Sequence, residues 1–177
     1  FNTENQFSIE KFVHCAGFMK MVPLMLVSQD LMLETFKTNV FSANTIIKLL
    51  TNKKANNSAL NSVVLISSNI SNRGAKAMST YGASKAALDG LMRSLAVELA
   101  PKVRVNSVLP GAVITEMTKS IFENEEVSNR MSAQYPLGIG LPNHIADAVN
   151  FLLSEQSSWI TGQQLTVDGG RSINITG

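Results

Sequence analysis

The sequence is short of everything that would mark a secreted, membrane or nucleic-acid-binding protein. There is one cysteine in 177 residues, Cys15. It cannot form an internal disulfide, and nothing near it has the spacing of metal ligands, so an inert buried thiol and no metal site are expected. No apolar run reaches the roughly 18 residues that suggest a membrane span. No secretory signal opens the chain, which leads to the expectation of a cytoplasmic protein. Charge is scarce too: charged residues make up 16% and the net charge is +2. With Lys and Arg scattered along the chain, no nucleic-acid footprint is expected.

What is present is a core. Apolar residues make up 45% of the 177 residues, enough for one domain over residues 1–177 and too much for disorder. Phe12 to Cys15 is a short apolar run stopped by Ala16-Gly17, a buried strand entering a turn. From Ser28, a candidate N-cap, Phe36, Val40, Ala43, Ile47 and Leu50 recur at steps of three and four, a helix with one buried face. Val63 to Ile66 is apolar without alternation, as in a strand covered on both faces of a parallel sheet. A second helix is expected from about Ser79 to Ala100 and a third strand from Val103 to Leu109. Helices near Glu116–Met131 and Asn143–Leu153 follow, then a last strand from Gln164 to Val167. This alternation predicts right-handed βαβ units in an α/β, doubly wound parallel sheet of three layers, α/β/α.

Ligands of such sheets bind outside the carboxyl ends of the strands. The rule points to Ala16-Gly17, Ser67-Ser68 and Pro110-Gly111 on one rim. Tyr81 and Lys85 stand four apart at the start of a helix and share a face. A free tyrosine has a pKa of about 10, and lowering it to about 7 takes roughly 4 kcal/mol, which a buried neighbouring ammonium supplies better than an exposed one. Ser68 ends the preceding strand, thirteen residues before Tyr81, where a crossover brings its hydroxyl beside the phenol. Carbonyl reduction builds charge on oxygen and needs such a donor beside a proton source. Asn39 lies mid-helix, where asparagine is a mediocre former, and its amide can turn inward to hold a water. A surface Tyr–Lys pair alone means little. Chance places Lys four after and Ser thirteen before one of two tyrosines about once in a hundred, so the combination carries weight. His14 reads as a hydrogen-bonded core histidine and His144 as decoration of a helix start.

Ser68, Tyr81-Gly82-Ala83-Ser84-Lys85 and Asn39 resemble the Ser–Tyr–Lys–Asn tetrad of the short-chain dehydrogenase/reductase family. Arg104 to Gly111 is similar to that family's strand and Pro-Gly turn beside the nicotinamide, with Thr115 four residues on. Ile160 to Gly170 is similar to the closing segment of the 3-oxoacyl-carrier-protein-reductase-like branch. The resemblance implies a Rossmann-like fold and hydride transfer between NAD or NADP and a carbonyl or secondary alcohol. Tyr81 would be general acid or base, and Ser68 would polarise the carbonyl. Lys85 would lower the tyrosine pKa and bind the nicotinamide ribose, and Asn39 would position a relay water. The cofactor site would include Ala16, Gly17, Tyr81, Lys85, Pro110, Gly111, Val113 and Thr115. A homodimer or homotetramer is implied as well, with the apolar helices at Ala43–Leu50 and Leu88–Leu95 at its interfaces.

Two features depart from the family. His14-Cys15-Ala16-Gly17 stands where Asn-Asn-Ala-Gly is usual, and no Gly-x-x-x-Gly-x-Gly turn occurs. The three N-terminal strands that carry that turn are therefore expected to be missing, and residues 1–177 to be the C-terminal part of the domain. Without them the piece is not expected to be active or stable alone. Enoyl reductases of this fold space the pair as Tyr-x6-Lys; here three residues intervene, which favours carbonyl chemistry. A non-catalytic nucleotide-sensing or scaffold protein is the rival from another class.

Overall fold

The computed structural model describes residues 8–116 and 118–175. Four strands, β1 (Lys11–His14), β2 (Ser62–Ile66), β3 (Arg104–Pro110) and β4 (Gln164–Val167), form one parallel sheet in the order β1-β2-β3-β4. Val63 lies between Phe12 and Val105 in register. Val63, Val64 and Leu65 are wholly buried, the outcome that an unbroken apolar run requires when helices cover both faces. The first strand lies one residue earlier than its apolar run suggests, which leaves Cys15 outside it. Among the described residues the outer edge of β1 has no strand beside it.

Helix α1 (Gln29–Phe36) passes through a π-helical turn (Lys37–Phe41) into α2 (Ser42–Thr51). Ser28 caps α1 as expected, its hydroxyl accepting from the Leu31 N–H at 3.2 Å. A short helix, α3 (Lys53–Asn56), precedes β2, and α4 (Ser79–Glu98) joins β2 to β3. The single helix expected over Glu116–Met131 is instead two, α5 (Lys119–Phe122) and α6 (Glu125–Ser132). Asn124 makes the break: its side chain accepts from the Val127 N–H at 3.0 Å and caps α6, a role that asparagine fills better than a helix-interior one. Residue 117 of that stretch lies outside the described residues. The last helix is α7 (Pro142–Leu153).

Three layers result. Ala43, Ile47 and Leu50 of α2 and Leu88, Met92 and Leu95 of α4 pack on Val63, Leu65 and Val105. Val149 and Leu152 of α7 pack on Val64 and Val108, across the sheet. One expectation fails here. The strands step in one direction across the sheet, yet the first two crossovers pass over one face and the third over the other. The third therefore has the opposite hand to the first two. If those follow the right-handed rule, the crossover through α7 is the exception. The 53-residue stretch from 111 to 163, a length fixed by the strand ends, is long enough to wrap round the sheet.

Candidate active site

The carboxyl ends of β1, β2 and β3 lie level. His14 pairs with Leu65, and Ile66 with Val108. Ala16-Gly17, Ser67-Ser68 and Pro110-Gly111 follow them on one rim. The turns are fixed to the sheet: the Ser67 N–H donates to the Val108 carbonyl at 2.8 Å, and the Gly111 N–H to that of Val167 at 3.1 Å. Ser68 is buried, and its Oγ accepts from the Ile70 N–H at 3.2 Å, which orients the hydroxyl. Across the site stands the Tyr81 phenol, near enough for the Ser68 hydroxyl to favour its ionised form. Lys85, one turn after Tyr81 on α4, is buried. Its Nζ donates to the Ile66 carbonyl at 2.8 Å and lies 5.7 Å from the centre of the Tyr81 ring. Ser68, Tyr81 and Lys85 thus meet where α4 crosses the end of β2.

Burial dominates the electrostatics of Tyr81 and Lys85. Burial pushes the Tyr81 phenol above the ordinary tyrosine value, and the Ser68 hydrogen bond, which acts the other way, does not overcome it. Burial thus favours the protonated form of the Tyr81 phenol. The desolvation that strengthens a Coulomb pair also penalises the charge it would create. Lys85 itself is brought down to about 8 by burial, against the opposing pull of Asp89 and Cys15. His14 is lowered by burial and by Lys85. Cys15 is exposed, not the buried thiol expected from its apolar neighbours, and partial burial of its sulfur raises its pKa against the pull of Lys85.

Asn39 is fully buried at the centre of the π-helical turn. Its Oδ1 accepts from the Phe18 N–H at 2.6 Å, and its Nδ2 donates to the Phe18 carbonyl at 3.0 Å and to Ser84 Oγ at 2.8 Å. Both amide hydrogens are engaged, so the side chain clamps the segment after β1 to α4, and a relay water would meet Asn39 at its acceptors. A π-turn offsets the helix by one residue, a feature concentrated at functional sites. The neighbouring His14 donates from Nε2 to Ser42 Oγ at 2.8 Å, because the Ser42 hydrogen goes to the Thr38 carbonyl at 2.6 Å. This is the core histidine read from the sequence. His144 does more than decorate: its Nδ1 accepts from the Leu141 N–H at 3.1 Å and caps α7.

On the far side of the rim, Val113 bridges to Gly140 in parallel fashion. Thr115 is exposed, with its hydroxyl 3.1 Å from that of Thr118. Asp168 is a residue that spacing did not single out. Its Oδ2 accepts from Asn69 Nδ2 at 3.2 Å and from the Ser172 N–H and hydroxyl at 2.8 and 2.6 Å. Burial alone would raise its pKa, but these bonds and one from the Gly170 N–H outweigh it and hold the carboxylate ionised. The only sequence signal was its place before Gly169-Gly170, which reads as a simple turn. Gly111 packs against it: a Cβ there would lie 2.8 Å from Asp168 Cβ and 2.9 Å from Tyr135 Cε1.

A nicotinamide cofactor fits the residues present. Lys85 uses one Nζ hydrogen on Ile66, which leaves donors for sugar hydroxyls. Gly17 presents no side chain toward it; a Cβ would sit 3.6 Å from Nζ.

Comparison with known proteins agrees with this arrangement. A family profile described as enoyl-(acyl carrier protein) reductase matches residues 3–172. A 3-oxoacyl-[acyl-carrier-protein] reductase of Chlamydia trachomatis is 36% identical over 167 residues, covering 92% of this chain and 65% of the relative. An L-rhamnose 1-dehydrogenase (NAD(P)(+)) of a Sphingomonas species is 31% identical, covering 94% and 66%. The chain thus spans just under two-thirds of the length of these curated relatives. A solved short-chain type dehydrogenase/reductase from Mycobacterium ulcerans superposes with a TM-score of 0.86 at 32% identity, covering 94% of this chain and 62% of the other. With the sheet, the tetrad residues and the profile match in agreement, the chain belongs to the short-chain dehydrogenase/reductase family.

Proposed function

We propose that the protein containing this chain is an NAD- or NADP-dependent oxidoreductase acting on a carbonyl or secondary alcohol, with residues 1–177 forming the C-terminal part of one Rossmann-like domain. The convergence of Ser68, Tyr81 and Lys85 on one buried rim carries the reading. When bound, the nicotinamide supplies or accepts the hydride. The chain's own residues handle the proton. In reduction, Ser68 donates a hydrogen bond to the substrate oxygen, and Tyr81, a phenol at neutral pH, gives that oxygen its proton. Lys85 hydrogen-bonds the cofactor ribose and sets the field at the phenol. Ala16, Gly17, Pro110, Gly111, Val113 and Thr115 line the nicotinamide end, and Asn39 holds the wall behind it.

The Tyr-x3-Lys spacing and the names of the curated relatives favour C=O over C=C chemistry, despite the enoyl reductase description of the profile. A 3-oxoacyl-carrier-protein-like substrate is the reading to test first. We further read the protein as a cytoplasmic homodimer or homotetramer. On the helices expected at the interface, Ala43, Ile47, Leu50, Leu88 and Leu95 are core, with Leu91 packed against it. The exposed apolar residues there are Ile46, Leu49 and Val97, with Phe41 in the π-helical turn before α2. Sedimentation as a monomer at micromolar concentration would contradict the oligomer.

The test of activity is steady-state turnover of the full-length protein with NADH and NADPH against 3-oxoacyl thioesters and aldoses, and with the oxidised cofactors against the matching alcohols. Turnover with at least one pair is expected. Absence of turnover in both directions with all of them, from protein that binds cofactor, would favour the non-catalytic alternative.

A further inference from the structure

Asp89 is 1% exposed, and neither of its carboxylate oxygens has a hydrogen-bond partner. A buried carboxylate without donors is costly. On an apolar helix face, where Leu88 and Met92 are its neighbours in the core, leucine or methionine would serve packing better. Its position offers a reason. Asp89 lies four residues after Lys85 on α4, and four after Tyr81 lies Lys85, so the three stand in one row along the helix.

We propose that Asp89 is a positioning residue for the reaction assigned above: a buried counter-charge, one helical turn beyond Lys85, that keeps the Lys85 ammonium charged beside Tyr81. The inference rests on that assignment for its purpose, but its physical content concerns Lys85 alone. Lys85 is 4% exposed and has one carbonyl, that of Ile66, in place of its hydration shell. Left to burial it would lose its proton in the neutral range.

The groups facing it are few. From the end of β1 come His14, held neutral by burial, and Cys15, whose thiolate, disfavoured by burial, would add to the pull of Asp89. From β2 comes the uncharged Ile66 carbonyl. The π-helical turn contributes Asn39, while Asp30, Glu34 and Lys37 of the same helical run are exposed. From α4 come Tyr81 and Asp89. Arg93, one turn further on, is exposed and turns back over Gly90. Asp89 is thus the one buried carboxylate facing Lys85 among the described residues, and it acts to raise the lysine's proton affinity. A carboxylate saturated by local donors would have its charge dispersed over them. Asp89 has no such donor.

The test compares the full-length protein with its Asp89→Asn and Asp89→Leu variants. The Lys85 13Cε resonance, identified by its absence from a Lys85→Arg variant, is followed by NMR against pH. The parent midpoint near 8 should fall by about one unit in both variants. Asp89→Glu should restore part of the shift. Asn keeps the shape of the side chain and Leu removes its polarity, so at least one is expected to fold, as thermal melting will show. Midpoints within about 0.2 unit of the parent would overturn the proposal. The alkaline limb of kcat/KM should move with the midpoint. If the parent binds cofactor but turns nothing over, the assigned reaction fails while the NMR midpoints still decide the role of Asp89.

Discussion

The Asn39 side-chain amide pairs with the Phe18 backbone on both sides, accepting from its N–H at 2.6 Å and donating to its carbonyl at 3.0 Å. It stands in for the neighbouring strand that a segment leaving a sheet has lost. Asn39→Ala removes these bonds and the one to Ser84, and leaves two backbone groups of Phe18 without their partner. At about 1–3 kcal/mol per unsatisfied buried group, a loss of about 2–5 kcal/mol is expected. Urea unfolding of the full-length protein checks it. A loss below about 1 kcal/mol would mean that water takes over the role.

Tyr81→Phe removes only the transferable proton. Turnover of the full-length enzyme is expected to fall by at least about 100-fold while cofactor affinity stays within a few-fold, because the lost group acts in the chemical step. Turnover within about threefold of the parent would assign the proton to another group.

Loss of the Lys85 charge trades function for stability. The lysine's folded pKa of about 8 lies below its ordinary value of 10.5. The folded state therefore resists a proton that the unfolded state takes readily. That penalty is fully present below pH 8, and it fades as pH rises from 8 through 10.5. Its size is at most about 3 kcal/mol, and loss of the Ile66 hydrogen bond offsets about 1 kcal/mol of any gain. Lys85→Met alone would strand the buried Asp89 carboxylate. The gain is therefore read in the Lys85→Met/Asp89→Leu double variant, which should be inactive yet about 1–2 kcal/mol more stable at pH 7, with the advantage gone near pH 10.5. Denaturant titrations at both pH values decide it.

Gly111→Ala tests the packing of the third turn. The added Cβ would meet Asp168 Cβ at 2.8 Å and the Asp168 Cα at 2.9 Å, so backbone must move. A loss of about 1–3 kcal/mol is expected. A melting temperature equal to the parent's would mean that this rim yields more easily than its contacts suggest.

Much of the architecture was legible in local pattern. Val63 to Ile66 reads as a doubly covered strand because four apolar residues in a row have no other stable place. The row Leu88, Leu91, Leu95 gives α4, and Tyr81 with Lys85 follows from helical spacing. What local pattern missed depends on partners distant in the chain. The π-turn at Lys37–Phe41 arises where Asn39 reaches Phe18 and Ser84. The hand of the third crossover depends on which face α7 covers, and an apolar stripe does not name a face. Cys15 sits among apolar neighbours yet at the surface, because β1 ends one residue before it.

The bond between Asn69 and Asp168 spans 99 positions of sequence, and this has a consequence for the order in which the site is made. As the polypeptide leaves the ribosome, Ser68, Tyr81 and Lys85 emerge long before the carboxylate that braces the turn next to Ser68. Until Asp168 and Ser172 are synthesised, Asn69 lacks this anchor and the serine turn is held by the bonds of Ser67 to Val108 and Lys85. The rim is therefore completed only after Asp168 and Ser172 have emerged. A growing chain thus carries the reactive side chains through the 99 positions that separate Asn69 from Asp168 before this brace can form.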